Sequence, residues 1–153
     1  MRDFPENTFD VVYSQDAILY TMDKFSLFQK FHRWLKPTGR FIMCDFCCGE
    51  KPWSEEFQKF ADQSGYILWT LSAMAKSLQD AGFAEVHVTD LNQEMVKSMN
   101  NYLKYFNDNQ AEFVKNFSQA EYDDFVRIWK FREMALEANY YSWGLFEGKK
   151  NLL

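Results

Sequence analysis

The chain has 153 residues, which is enough for one domain of ordinary size and too few for two. Apolar residues make up 47% and aromatic residues 19% of the chain, so we expect a packed core, and the composition argues against disorder. The net charge is −5 and the only basic run is Lys149–Lys150, which argues against nucleic-acid binding by electrostatics.

No stretch of the sequence is long and apolar enough to cross a bilayer, and the amino-terminal MRDFPENTF lacks the apolar centre of a signal peptide. Three cysteines, Cys44, Cys47 and Cys48, are odd in number and close together. This pattern favours a reducing compartment, such as the cytoplasm, over a disulfide framework. Neither His32 nor His87 stands at a metal-ligand spacing from the cysteines, so we do not expect a zinc site.

The first predicted elements are a strand and a helix. The strand covers Phe9–Tyr13, and three polar residues follow at its carboxyl end: Ser14, Gln15 and Asp16. The helix covers Asp23–Leu35, where apolar side chains recur near helical spacing, at Phe25, Phe28, Phe31 (or His32) and Leu35. Pro37 and Gly39 then end the helix and reverse the chain.

A short apolar strand is the centre of the predicted sheet. Residues Phe41–Cys44 are apolar without alternation, which predicts a strand covered on both faces. Asp45 follows with a carboxylate at the carboxyl end, where ligands bind in open α/β proteins. The spacing leaves two roles open for Asp45, one as a cap of a loop and one in a binding site.

The next segments continue the alternation of strands and helices. Two helices are predicted, one capped by Ser54 and ending near Gly65, and one that begins at Thr70 or Ser72 and ends at Gly82. A strand at Glu85–Asp90 follows them. This order of elements predicts an α/β sheet with parallel strands.

The last part of the chain is predicted to be helical over residues 92–139, with a final strand at Tyr141–Glu147. Two sets of apolar residues would form stripes on these helices, namely Met95, Met99, Tyr102 and Phe106, and then Phe113, Phe117, Phe125 and Trp129. Such stripes are core faces more often than cofactor sites.

Two segments carry a resemblance to a known family. They are TFDVVYSQDAILYTMDK and LFQKFHRWLKPTGRFIMCDFCCGEKPWSEEF, with YS-x-DAI and KPW-x-x-EF as their most specific parts. Together with the ending Trp143–Phe146, they resemble the second half of a phosphoethanolamine N-methyltransferase, over nearly the whole chain. That family transfers methyl groups from S-adenosylmethionine to the amine of phosphoethanolamine and its partly methylated products, giving phosphocholine.

The resemblance implies a fold. The family has the seven-stranded, Rossmann-like α/β sheet of class I methyltransferases, with strand order 3-2-1-4-5-7-6. Residues 1–153 would be the carboxyl-terminal half of one such domain, supplying strands four to seven with flanking helices and a helical insertion at about 92–139. No two of the six glycines stand as G-x-G, so the turn that holds a nucleotide-type cofactor is absent. We therefore expect a truncated gene model or a remnant, and we do not expect this chain alone to hold S-adenosylmethionine.

The resemblance also implies which residues face the amine and the cofactor. Asp16 matches the family's substrate-binding aspartate and would hold the ammonium group, although the residues alone favour a cap of the next helical turn. Tyr20 stands in place of the family's catalytic histidine, and tyrosine, with a reference pKa of about 10, is a poor base at pH 7. Ser14 and Gln15 are the expected cofactor-side residues, with Gln15 in place of an arginine.

The expected phosphate pocket has fewer polar groups than the family's pocket. Phe46 and Phe60 replace tyrosines, and Ser64 replaces an arginine. Tyr66 matches a pocket tyrosine, and Arg132 keeps a positive charge where the family has a lysine. Losing one charged phosphate contact costs roughly 1.5–3 kcal/mol, so several losses together predict weak or no phosphobase binding.

Three functions remain open at this point. The chain is a phosphobase methyltransferase represented by its carboxyl-terminal half, a non-catalytic degenerate lobe that acts as partner or regulator, or a methyltransferase with an altered acceptor and a more apolar pocket. The small-molecule ligand expected is of the phosphoethanolamine type. If Phe9–Tyr13 lacks a neighbouring strand, it is an exposed edge and a candidate docking site for a protein partner.

Overall fold

The computed structural model describes residues 3–151, and these residues are organised around one four-stranded sheet. The strands are β1 (Phe9–Gln15), β2 (Leu35–Cys48), β3 (Phe83–Asp90) and β4 (Tyr141–Lys150), in the spatial order β1-β2-β4-β3. β1 and β2 are parallel, whereas β4 is antiparallel to both β2 and β3. The α/β class is confirmed, and the order is the one expected for strands four to seven of a class I methyltransferase sheet.

The helices begin close to their predicted caps. They are α1 (Lys24–Trp34), α2 (Glu55–Gln63), α3 (Leu71–Asp80), α4 (Asn92–Asp108), α5 (Gln110–Asn116) and α6 (Gln119–Glu137), and a short 3-10 turn lies at Ile18–Tyr20. Side-chain oxygens of Asp23, Ser54 and Thr70 accept the capping hydrogen bonds of α1, α2 and α3, because these short polar side chains reach the free N–H groups of the first turn. Thr70, and not Ser72, therefore begins α3. None of the helices within residues 3–151 has the length and apolar character needed to cross a membrane.

Two cores cover opposite faces of the sheet. On the first face, α1 and α3 pack against β2 through fully buried side chains that include Phe28, Phe41 and Leu78. On the second face, α2, α4 and α6 pack at the carboxyl end of β2 through Phe57, Met99, Ala135 and Tyr141. The second core therefore lies directly at the edge of the sheet where ligands bind in this class of fold.

The prediction that the central strand is covered on both faces is only partly right. Phe41 and Met43 face the first core and are buried, whereas Ile42 and Cys44 point to the second face and are half-buried. The reason is that the second core packs beside Phe46, nearer the carboxyl end, and leaves the middle of that face more open.

β2 is longer than predicted, and β1 lies at an edge. β2 begins at Leu35 and therefore includes Pro37 and Gly39, which were predicted to lie in a turn before the strand. The register with β1 shifts between the pairs Phe9–Leu35 and Val11–Arg40, so this part of β2 is an irregular stretch of the strand. Among residues 3–151, β1 has a partner on one side only. Its side chains Val11 and Tyr13 are 48% and 65% exposed.

Several residues of the predicted apolar stripes are not core residues. Met95 and Met99 of α4 are buried as expected, but Tyr102 and Phe117 are exposed. Asn109 separates α4 from α5, and Phe117 ends α5, so the helical repeat is interrupted and the stripe does not continue along one face. Phe25, predicted on the apolar side of α1, is also exposed.

Candidate functional site

The candidate site lies at the carboxyl ends of the parallel strands β1 and β2. Gln15 pairs with Cys44 at the end of β1, and Asp16 follows it directly. Because β4 runs antiparallel, its first residues reach the same rim, where Trp143 is opposite Phe46 and Tyr141 is opposite Cys48.

Asp45 is a buried carboxylate that organises this rim. Its oxygens accept hydrogen bonds from the backbone N–H groups of Ile18 (2.6 Å), Phe46 (2.9 Å), Ala17 (3.2 Å) and Leu19 (3.2 Å). Burial raises the pKa of Asp45, the hydrogen bonds from Ile18 and Phe46 oppose this rise, and the nearby charge of Asp16 adds to it. Of the two roles left open by the sequence, the structural one is observed, because Asp45 holds the backbone of the 3-10 turn.

Lys24 holds the same turn through its carbonyl groups. Its side chain is fully buried, and Nζ donates to the carbonyl oxygens of Ile18 (2.7 Å) and Thr21 (2.8 Å). Burial lowers the pKa of Lys24 to about 8, and the charge of Asp45 opposes this shift. No pattern in the sequence indicates this buried lysine, because its hydrogen bonds depend on a turn whose shape is set by Asp45.

Asp16 is held by an indole from the last strand. Its backbone has φ 48°, its N–H donates to the carbonyl oxygen of Cys44 (2.9 Å), and its Oδ1 accepts from Nε1 of Trp143 (3.0 Å). The 3-10 turn has Ala17 at its N-cap and no side-chain cap. The alternative in which Asp16 caps the next turn is therefore wrong, and the carboxylate instead lies half-buried beside the aromatic side chains of the rim.

The cofactor-side candidates lie at the end of β1. Ser14 is half-buried and pairs with Met43 across the strands. Gln15 is exposed, and its Oε1 accepts a hydrogen bond from the hydroxyl of Tyr13 (2.6 Å).

Tyr20 lies on the 3-10 turn and is 56% exposed. Its ring is 5.5 Å from the ring of Tyr66, in an edge-to-face arrangement. Partial burial and the neighbouring Tyr66 raise the pKa of Tyr20 above its ordinary value, so its hydroxyl remains protonated at pH 7. At neutral pH this group can donate a hydrogen bond but cannot act as a base.

Three of the predicted phosphate-pocket residues meet around one guanidinium group. Nη2 of Arg132 donates to the hydroxyl oxygen of Tyr66 (3.2 Å). The guanidinium carbon is 5.9 Å from the ring centre of Phe60 and 5.3 Å from that of Trp129. Such a cation held over aromatic rings keeps its positive charge in a partly desolvated place, where it attracts anions strongly.

The other two predicted residues occupy different positions. Phe46 stacks on Tyr141, with parallel rings 4.8 Å apart. Ser64 is the C-cap of α2, and its backbone N–H donates to the carbonyl oxygen of Phe60 (3.0 Å). Ser64 is only two residues from Tyr66 in the chain, but in the structure it ends α2.

Tyr141 and Trp143 are site residues that the sequence analysis missed. Both come from β4, and they reach the rim only because that strand inserts antiparallel beside β2. The aromatic residues at the start of the last strand were the available signal, but their partners lie about a hundred residues earlier in the chain and could not be assigned from spacing.

The cysteines do not form a reactive or metal-binding group in the described part of the chain. Burial raises the pKa of Cys44 and of Cys48 to about 11, so these thiols are protonated at neutral pH. Across residues 3–151 no group of three or more His, Cys, Asp or Glu side chains is arranged to hold a metal ion.

Comparison with known proteins supports the resemblance found in the two motifs. A family profile described as a methyltransferase domain matches residues 1–43. Phosphoethanolamine N-methyltransferase 3 of Arabidopsis thaliana is 36% identical over 98% of this chain, which covers 31% of that protein. The phosphoethanolamine N-methyltransferase of Plasmodium falciparum is 35% identical over 98% of the chain, which covers 58% of it. The chain therefore spans about a third of the plant relative and somewhat more than half of the Plasmodium one.

Solved structures agree with this assignment. Phosphoethanolamine N-methyltransferase 2 of Haemonchus contortus, in complex with phosphomonomethylethanolamine and S-adenosylhomocysteine, matches 98% of this chain with a TM-score of 0.95 and 26% identity, over 35% of its own length. A sarcosine dimethylglycine methyltransferase from Galdieria sulphuraria, matched with a TM-score of 0.85 and 20% identity, shares the fold. The chain thus corresponds to part of the length of phosphoethanolamine N-methyltransferases, which it resembles over nearly all of its own length, and it has the Rossmann-like fold of class I methyltransferases.

Proposed function

We propose that this chain carries the acceptor-binding side of an S-adenosylmethionine-dependent N-methyltransferase that acts on phosphoethanolamine-type substrates, toward phosphocholine. The observation that supports the proposal most is the rim itself, where a carboxylate (Asp16) and a guanidinium with a phenol (Arg132 and Tyr66) lie on one side of the sheet. A substrate with an ammonium group at one end and a phosphate at the other has the matching charges.

Each end of such a substrate has a physical reason to bind. Arg132 donates hydrogen bonds in a planar fork that suits phosphate oxygens, and its position over Phe60 limits access of water to the charge. Asp16 already accepts one hydrogen bond from Trp143 and has further lone pairs for an ammonium group. With hydroxyls absent at Phe46 and Phe60, we expect the affinity for the phosphate to be low.

Methyl transfer to an amine requires an uncharged nitrogen aligned with the methyl donor. S-adenosylmethionine, when bound, supplies the electrophilic methyl group. Ser14 and Gln15 fit only one side of such a cofactor, because no glycine-rich turn accompanies them in this sequence. Asp16 can orient the amine and hold its proton, whereas Tyr20, which is protonated at pH 7, is a poor base. We therefore infer that this chain alone binds the acceptor without completing the reaction.

A second candidate is a non-catalytic lobe that acts as partner or regulator of another methyltransferase. The edge strand β1 favours this candidate, because its side chains Val11 and Tyr13 are exposed and its free edge can pair with another strand. The tyrosine at position 20, in place of a base, is consistent with lost catalysis.

Isothermal titration calorimetry with phosphoethanolamine tests the proposal. We expect saturable binding with a Kd on the order of 1 mM, weakened at least tenfold in Asp16→Asn. Asp80→Asn, which alters an exposed carboxylate on α3, is the control and should bind as the unmodified chain does. Absence of binding, or equal affinity of Asp16→Asn, would contradict the proposal.

The same titration with S-adenosylmethionine, and an assay with its labelled methyl group, test whether this chain alone is catalytic. Formation of labelled product by this chain alone would contradict both the non-catalytic candidate and our inference that the chain alone does not complete the reaction. Saturable micromolar binding of the cofactor would contradict our inference that the chain offers only one side of the cofactor site.

A further inference from the structure

The hydroxyl of Tyr141 is buried without a hydrogen-bond partner. The side chain is 0% exposed, and its oxygen has no partner within the described chain. The rings of Phe46, Phe57 and Phe60 pack against the ring of Tyr141, with distances between ring centres of 4.8, 5.8 and 6.2 Å. Buried polar groups are nearly always hydrogen-bonded, so a phenol in this position calls for an acceptor that these residues do not provide.

A second unpaired donor belongs to the same neighbourhood. Nε of Arg132 is buried and has no partner, while its Nη2 donates to the hydroxyl oxygen of Tyr66. Since Tyr66 accepts that bond, its own proton remains available for donation. Phe60 links the two phenols, because the centre of its ring is 5.7 Å from that of Tyr66 and 6.2 Å from that of Tyr141.

The electrostatic environment is consistent with this grouping. Burial raises the pKa of Tyr141 well above its ordinary value, and the positive charge of Arg132 acts against that rise. The phenol is therefore protonated at pH 7, and its proton is available for donation.

We infer that Tyr141 is a further residue of the anion-binding pocket, and that its hydroxyl donates to an oxygen of a phosphate monoester held by Arg132 and Tyr66. Each of the groups that converge here has a hydrogen to donate, and a ligand rich in acceptors, as a phosphate group is, can accept from all of them. The identity of the ligand rests on the proposed function, which places a phosphoethanolamine-type molecule at this rim.

The position of Tyr141 also gives it a role in specificity. It stacks directly on Phe46, one of the two positions where the family resemblance implies a lost phenol. A hydroxyl from β4 can thus replace a hydroxyl lost from β2, because the two strands are neighbours in the sheet. The pocket keeps selectivity for phosphate-bearing ligands over their alcohols.

The test is calorimetric titration of the chain and of Tyr141→Phe with phosphocholine, which cannot accept another methyl group and so reports binding alone. A hydrogen bond to a charged group predicts a Kd about ten to a hundred times higher in the variant. Tyr140→Phe removes a hydroxyl from the adjacent residue and should bind within about twofold of the unmodified chain. The Kd for choline, which lacks the phosphate, should be the same in all three proteins.

Thermal unfolding without ligand separates binding from folding. An unpartnered hydroxyl predicts that Tyr141→Phe keeps or raises the Tm, whereas a lowered Tm would mean that the hydroxyl is bonded inside the protein and would overturn the inference. Equal Kd values for phosphocholine in the variant and the unmodified chain would overturn it as well, as would the absence of binding up to about 10 mM.

A second measurement does not depend on the folding of the phenylalanine variant. With 3-fluorotyrosine at position 141, the fluorine resonance should shift on addition of phosphocholine and not of choline, and an unchanged resonance would refute the inference. Failure of the proposed function can be distinguished from failure of the inference about Tyr141. Phosphocholine binding that depends on Tyr141, without binding of phosphoethanolamine through Asp16, would contradict the proposed function and leave this inference intact.

Discussion

The loop after β2 packs so closely on the turn before β4 that one methyl group should disturb the rim. A Cβ added at Gly49 would overlap the carbonyl oxygen of Asn139 and lie 3.0 Å from its carbonyl carbon. Both atoms are backbone, so no side-chain rotation can relieve the clash. The same contact includes a hydrogen bond from the N–H of Gly49 to the carbonyl oxygen of Tyr140 (3.2 Å) and one from Nε1 of Trp53 to the carbonyl oxygen of Gly49 (3.0 Å).

Gly49→Ala should therefore lower the free energy of unfolding by about 2–4 kcal/mol. Overpacking accounts for roughly 1–3 kcal/mol, and weakened hydrogen bonds account for roughly 0.5–1.5 kcal/mol each. Gly49 is not among the residues with positive φ. Without the clash, alanine would thus stabilise the protein by about 0.4–1 kcal/mol through the unfolded state, so the sign of the effect is diagnostic.

Urea denaturation followed by tryptophan fluorescence measures this effect, and a thermal scan should show a Tm lower by about 5–15 °C. Glu50→Ala, at the exposed neighbouring position, is the control and should change stability by less than about 0.5 kcal/mol. An unchanged or raised stability of Gly49→Ala would refute the reasoning, because it would mean that the loop and the turn are not in contact.

Three further predictions concern titration and charge. The pKa of Lys24 is lowered from 10.5 to about 8 in the folded protein, so between pH 8 and pH 10.5 the unfolded chain binds more protons and the free energy of unfolding should rise with pH. Urea denaturation at several pH values should show this rise in the unmodified chain and not in Lys24→Met, and parallel curves for the two proteins would contradict the prediction. Cys44 and Cys48, with pKa values of about 11, should react with iodoacetamide at pH 8 at least about tenfold more slowly than a free thiol, as followed by mass spectrometry, and fast labelling would show that they are not buried. Arg132→Gln should raise the Kd for phosphocholine about ten to a hundred times and leave choline unaffected, whereas an unchanged Kd would remove Arg132 from the pocket.

Local signals in the sequence were sufficient for the caps and ends of the helices. Asp23, Ser54 and Thr70 each cap a helix through an N–H group three residues later, so the relevant interaction lies within the segment that predicts it. Gly65 and Gly82 adopt positive φ where α2 and α3 end, as their lack of a side chain allows.

Interactions between distant segments were not predictable in the same way. The residues around Asp16 alone favour a local capping role, but its partner is Trp143, 127 residues later. The role of Asp45 depends on the turn at Ile18, and the role of Lys24 depends on both. The family resemblance supplied candidate residues at the rim, yet it could not supply the unpaired phenol of Tyr141, which follows from the packing of β4 in this chain.

The central place of β4 has a consequence for how the chain reaches its folded state. β4 lies between β2 and β3, although it is the last of the four strands along residues 3–151. During translation β2 and β3 therefore lack their common neighbour until β4 has left the ribosome. A premature stop codon shortly before Tyr141 would therefore abolish both the cohesion of the sheet and the aromatic wall of the ligand pocket.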